Sequence, residues 1–187
     1  MAIDYSAVSS GQKRISDLAN DVNHDDLKQA TDAQIDEMLS LVRDLSDAQA
    51  AFVAADPEAE GGIGWNVGHL IAHVTASSEE NAAVSSILAR GINLEFEPRL
   101  RWEPEWETLT TTAACLQRLE ESRRICQSYL DAWPDQPHLD THRTLPPGFA
   151  DRVGPMNAIG AYLLGLIHQS GQFAQLREIV RQAKEAA

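Results

Sequence analysis

Apolar residues recur every three to four positions through four long stretches of this chain, and nowhere do they alternate for more than a few residues. That period constrains the fold more than any other feature, because a 3.6-residue repeat buries one helix face whereas a strand needs a repeat of two. In residues 31–54 the stripe is Ile35, Met38, Leu39, Val42, Leu45 and Phe52, behind a capping-box pattern at Thr31 and Gln34. Asp56-Pro57 and Gly61-Gly62 break the chain after it. Residues 66–90 follow, with Asn66 as N-cap, Gly91 as stop, and Val67, Leu70, Val74, Val84 and Leu88 on one side. A third stretch, 108–132, carries Leu116, Leu119, Ile125, Tyr129 and Leu130 and ends before Pro134. The fourth, 155–185, opens with Pro155 in a first-turn position and is apolar around much of its circumference between Ile159 and Ile167.

Four such helices with two longer connections predict an all-α fold, a four-helix bundle with long crossovers. The connections are residues 91–107, with Trp102, Pro104 and Trp106 among acids, and residues 133–154, with four prolines, His138 and His142. At 187 residues the chain suits a single core. We divide it into an N-terminal extension, 1–30, with a short helix around 12–20, and one bundle domain, 31–187.

Composition removes several classes of function. Net charge is −13, from 15 Lys+Arg against 28 Asp+Glu, and the few paired arginines are diluted by neighbouring glutamates. A nucleic-acid partner or an anionic membrane surface would require a basic face. No apolar run approaches the ~20 residues that span a bilayer. The opening MAIDYSAVSSGQKRISDLAND lacks an apolar stretch behind a basic flank, so no signal peptide is expected and the expected location is the cytoplasm. Cys115 and Cys126, eleven residues apart on one helix, would lie roughly 16 Å apart, too far for a disulfide. Both read as reduced, buried thiols.

No G-x-S-x-G elbow or glycine-rich phosphate loop is present, which leaves the histidines. His69 and His73, in GWNVGHLIAHVTASSEEN, are four apart and share a helix face, with Glu80 two turns further on. A pair so spaced can ligate one divalent metal, although the same spacing is common in helices with no such role. His168 falls nearly opposite the stripe of Ile159, Leu163, Leu166 and Phe173, which predicts a surface or helix-contact position. His138 and His142 lie in a proline-rich connection and read as loop surface. Trp65, Trp102 and Trp106 read as packing at the bundle ends and under the crossover, or as walls of a ligand pocket.

Two stretches carry a family resemblance. One is a Trp opening the second helix with a His eight residues later, Trp65 to His73 in WNVGHLIAH; the other is the Gly-Gln-x-x-x-x-Leu-Arg close formed by Gly171, Gln172, Leu176 and Arg177. With the order of the helices over 31–185, the chain resembles the DinB-like (YfiT-like) four-helix-bundle superfamily. The resemblance implies a divalent metal, of zinc or nickel type, on three histidines at one end of the bundle. One of them matches His73, and two come from a His-x-x-x-His-x-Gly-Gln pattern on the last helix. It also implies chemistry on a low-molecular-weight thiol such as mycothiol or bacillithiol, by transfer, isomerisation or conjugation, and a homodimer.

This sequence departs from that pattern at the ligands. Counting back from Gly171-Gln172, the two last-helix positions hold Gly165 and Gln169, and His168 is one residue out of register, about 100° around the helix. Two readings follow. In one, a metal sits on His73 and His168, with His69 or Gln169 completing the shell, and serves a thiol-using transferase or hydrolase. In the other, the bundle binds no metal and acts as a small-molecule-binding or dimeric interaction module.

Overall fold

The computed structural model describes residues 3–56 and 62–186. Among them, helices account for all regular structure, and pairing of extended chain is limited to the isolated bridges Ala55–Ile63 and Arg143–Met156. The all-α expectation holds. Along the chain, α1 is Ser6–Ser9, α2 Ile15–Ala19, α3 His24–Val42, α4 Asp47–Ala50, α5 Val67–Ala89, α6 Thr112–Asp131, α7 Pro147–Val153, α8 Ala158–Gly171 and α9 Phe173–Glu185. A 3-10 turn, Trp106–Thr108, precedes α6. The break expected at Pro57 and Gly61 lies outside the described residues.

Polar caps set most of the long helices' starts. Asn66, Thr111 and Asn157 accept hydrogen bonds from the backbone N–H groups of His69, Ala114 and Gly160, filling donors that the first turn leaves unpaired. The first bundle helix begins seven residues before the expected Thr31, with a capping box between Asn23 and Asp26. Thr31 and Gln34 are instead buried mid-helix. The Thr31 hydroxyl bonds Leu27 O and Tyr162 Oη, and Gln34 donates to Leu166 O. A capping-box pattern inside a continuous helix thus fixes one helix against another. The fourth helix also differs: Asn157, not Pro155, opens it, and it divides at Gln172 into α8 and α9. The first expected helix ends at Val42, with α4 a separate turn.

The bundle is formed by α3, α5, α6 and the α8–α9 pair, with α5 at the centre. Of its 23 residues, 17 are buried, so α5 is enclosed on most sides rather than along one stripe. One apolar cluster joins Ile35, Met38, Val67, Leu70, Ile71, Leu119, Leu176 and Ile179 at the α9 end. The other joins Leu27, Val84, Leu88, Leu130 and Leu163 to Ile15 and Leu18 of α2. His73 and His168 meet near the boundary between the two clusters. No described helix is long and apolar enough to cross a membrane.

Candidate functional site: an imidazole pair under a loop strap

The site begins with Trp65, just ahead of the Asn66 cap. The first turn of α5 then sets His69 and His73 one above the other. Gly68 lets the chain before α6 lie directly on this turn, because a Cβ there would come within 2.2 Å of Leu109 O. That close approach seats Trp106 over His69. The His69 ring is stacked between two indoles, with centroids 4.2 Å from Trp65 and 4.5 Å from Trp106. Trp65 also meets His73 edge-on at 5.0 Å.

His73 and His168 face each other across α5 and α8, Nε2 to Nε2, at 3.2 Å. His168 therefore turns in towards α5, the helix-contact one of the two positions expected for it, and its Nδ1 is buried with no hydrogen-bond partner. On the far edge of His73, Arg101 Nη2 lies 3.1 Å from Nδ1 and 3.0 Å from the carbonyl oxygen, while Arg101 also pairs with Glu103 at 2.7 Å. A guanidinium has only donors. Nδ1 of His73 is therefore the accepting nitrogen, the ring proton sits on Nε2, and that N–H donates to Nε2 of His168. Burial holds His168 down at about 4, helped by His73 and Arg101, and burial with Arg101 and His69 lowers His73 against the pull of Glu103. Burial also lowers His69, against the opposing pull of Glu103 and Glu107. Near neutral pH the site is a set of uncharged imidazoles beside one fixed cation.

Arg101 was not visible in the sequence as a site residue. It is delivered by a strap, the crossover 91–107, that is anchored on α5. Glu80, whose side chain is fully buried, accepts from Arg99 Nε at 2.7 Å and from Leu100 N at 3.0 Å. These bonds hold the Glu80 carboxyl below the usual carboxylate range, against the effect of its burial. Buried Arg143 braces the strap by donating to Phe96 O. Glu80 thus belongs to the strap anchor, although its spacing put it on the histidine face. A second buried pair, Arg118 of α6 with Glu79 of α5, also bonds Thr75 and ties the two helices together. For Glu80 the available signal was a charged residue within a helix otherwise rich in apolar and small residues; Arg118 stands among other charged residues and carried none.

The remaining candidates lie elsewhere. His138 and His142 are exposed in their loop, and Trp102 is 68% exposed on the strap rather than packed beneath it. Cys115 and Cys126 are free and buried on α6, and burial raises their thiols to about 11 and about 12, as inert core thiols should be.

A helical bundle with a part-buried imidazole pair between α5 and α8 defines a class of α-helical proteins with a side-chain site between packed helices. The DinB superfamily model matches residues 30–176, and the chain belongs to that superfamily. No curated protein and no solved structure matches the chain.

Membership implies a three-histidine metal site, and the residues present do not fit one. A Cβ at Gly165 would lie 3.2 Å from Asn81 Cβ and 3.3 Å from Ser78 Cα, tighter than ordinary contact, so α5 and α8 would have to shift to admit any larger side chain there. Gln169 is buried and engaged, accepting from the Ser78 hydroxyl at 2.8 Å and approaching Met38 Sδ at 3.5 Å. A ligating histidine donates its second ring N–H to an acceptor, whereas the second nitrogen of His73 faces a guanidinium. Among the described residues, no group of three or more His, Cys, Asp or Glu is arranged to hold a metal ion.

Proposed function

We propose that this chain is a DinB-superfamily bundle that works without a metal, as a small-molecule-binding module. The binding region is the half-buried face formed by Trp65, His73, Arg101, Trp106 and His168. The reading rests on one observation: both nitrogens of His73 are committed, Nδ1 to Arg101 and Nε2 to His168. Neutral imidazoles, indole edges and a half-buried guanidinium suit an organic ligand with an apolar body and an acceptor group for Arg101. The test is elemental analysis of untagged protein, before and after incubation with zinc and nickel, with melting curves in metal and in EDTA. Fewer than about 0.1 equivalents of metal and a Tm indifferent to either addition are expected, since a ligand selective for the native state would raise Tm. About one equivalent, with a Tm several degrees lower in EDTA, overturns the reading. Quenching of Trp65 and Trp106 fluorescence by a panel of small aromatic acids, amines and thiols then identifies the ligand class.

One observation favours the second reading, a divalent-metal-dependent thiol-using transferase or hydrolase. Two nitrogens each about 2.0–2.1 Å from a tetrahedral zinc ion stand close to the 3.2 Å separation of the two Nε2 atoms. The same elemental analysis separates the two readings.

A further inference from the structure

The His73–His168 pair has nearly the spacing that one ion would need, and a cation already occupies its back edge. We infer that Arg101 is a tethered plug: the strap and a divalent metal exclude one another at the His73–His168 pair, and removal of the guanidinium uncovers a two-histidine metal site. The inference rests on the metal-free reading above and adds what enforces it.

The argument is one of proton placement. For both histidines to offer Nε2 lone pairs to one ion, His73 must carry its ring proton on Nδ1. Arg101 Nη2, at 3.1 Å, forbids this, because two donors would then face each other. The tautomer that Arg101 enforces puts the proton on Nε2, the atom a metal would need. Arg101 also brings a positive charge beside the ion's position, and the charge is held there by the carbonyl of His73 and by Glu103. Its placement follows from the strap anchor, two residues away, where Glu80 holds Arg99 and the backbone of Leu100. Strap closure and the metal-excluding tautomer are thus one event.

The experiment measures Ni2+ and Co2+ binding by calorimetry and by Co2+ visible absorption, using untagged full-length protein. The variants are wild type, Arg101→Gln, Arg101→Met, and each combined with His168→Ala. Glutamine supplies a carbonyl that can accept from Nδ1–H, as metal-bound imidazoles require, while methionine removes the charge and the donors alone. Both single variants are expected to bind at least about tenfold more tightly than wild type, in the 10–100-fold range over which the partner of a ligating histidine changes affinity. His168→Ala is expected to abolish the gain. If wild type is metal-free and neither variant gains affinity, the plug is refuted and the metal-free reading stands. If wild type binds as tightly as the variants, both fail.

Discussion

At the residue scale, the pair of imidazoles makes stability depend on pH in a definite direction. His168 titrates at about 4 in the folded chain against an ordinary value of 6.5, chiefly because it is buried, with His73 against it and the charge of Arg101 on the far side of His73 adding to the effect. The unfolded chain therefore binds the extra proton first. Stability from this residue is complete above about pH 6.5 and is lost as pH falls through that value towards about 4. A lower Tm is expected at about pH 4.5 than at about pH 7, and His168→Asn should flatten that decline; equal slopes in the two proteins would refute the assignment. His73 could be picked out in the sequence because it stands eight residues after Trp65, in a helix. His168 was legible as a candidate at a surface or helix-contact position, and only the structure decides for the helix contact. An apolar-stripe argument assumes one buried face, and α8 is enclosed by α5, α3 and α2 together. Arg101 carried no local signal, since its role exists only across the 28 residues that separate it from His73.

At the element scale, the close approach of α5 and α8 explains the absent ligand on the last helix. Gly165 is the point of contact, against Asn81 and Ser78. Gly165→His, which supplies the ligand type that the family resemblance implies at this position, is expected to destabilise by roughly 1–3 kcal/mol through overpacking. For a chain of this length each kcal/mol lowers Tm by about 2–4 °C. Zinc or nickel should not recover the loss in a calorimetric scan, and recovery would mean that the helices can separate to admit the ligand. Helix caps were partly legible. Asn66 announces α5 because no competing cap stands near it, whereas Thr31 and Gln34 mimic a start that Asn23 and Asp26 provide. The division at Gln172 was hidden because α8 and α9 keep the apolar period on both sides of it.

For the molecule as a whole, the strap is the element that joins bundle to site, and one buried carboxylate, Glu80, anchors it beside Arg101. Arg99→Ala would leave Glu80 with only Leu100 N as a direct hydrogen-bond partner on the strap. A buried charge without its partner is strongly unfavourable, so the strap should detach more often. Trypsin is expected to cut after Arg101 several-fold faster in Arg99→Ala than in wild type, while the helices stay folded by far-ultraviolet circular dichroism. Unchanged cleavage would mean that Arg143 and the Trp106–His69 stack hold the strap without Glu80.

Four long amphipathic stretches, their order, the Trp65–His73 spacing and the Gly171-Gln172 close are all local facts, and they alone determined a helical DinB-type bundle. Tertiary structure decided the rest. It turned His168 onto His73 across 95 residues, sandwiched His69 between two indoles, and set Arg101 where a second acceptor would have stood. The reason is physical: helix periodicity is encoded within a few turns, whereas the orientation of an imidazole and the location of its proton depend on which side chains the packed helices and the strap bring within about 3 Å.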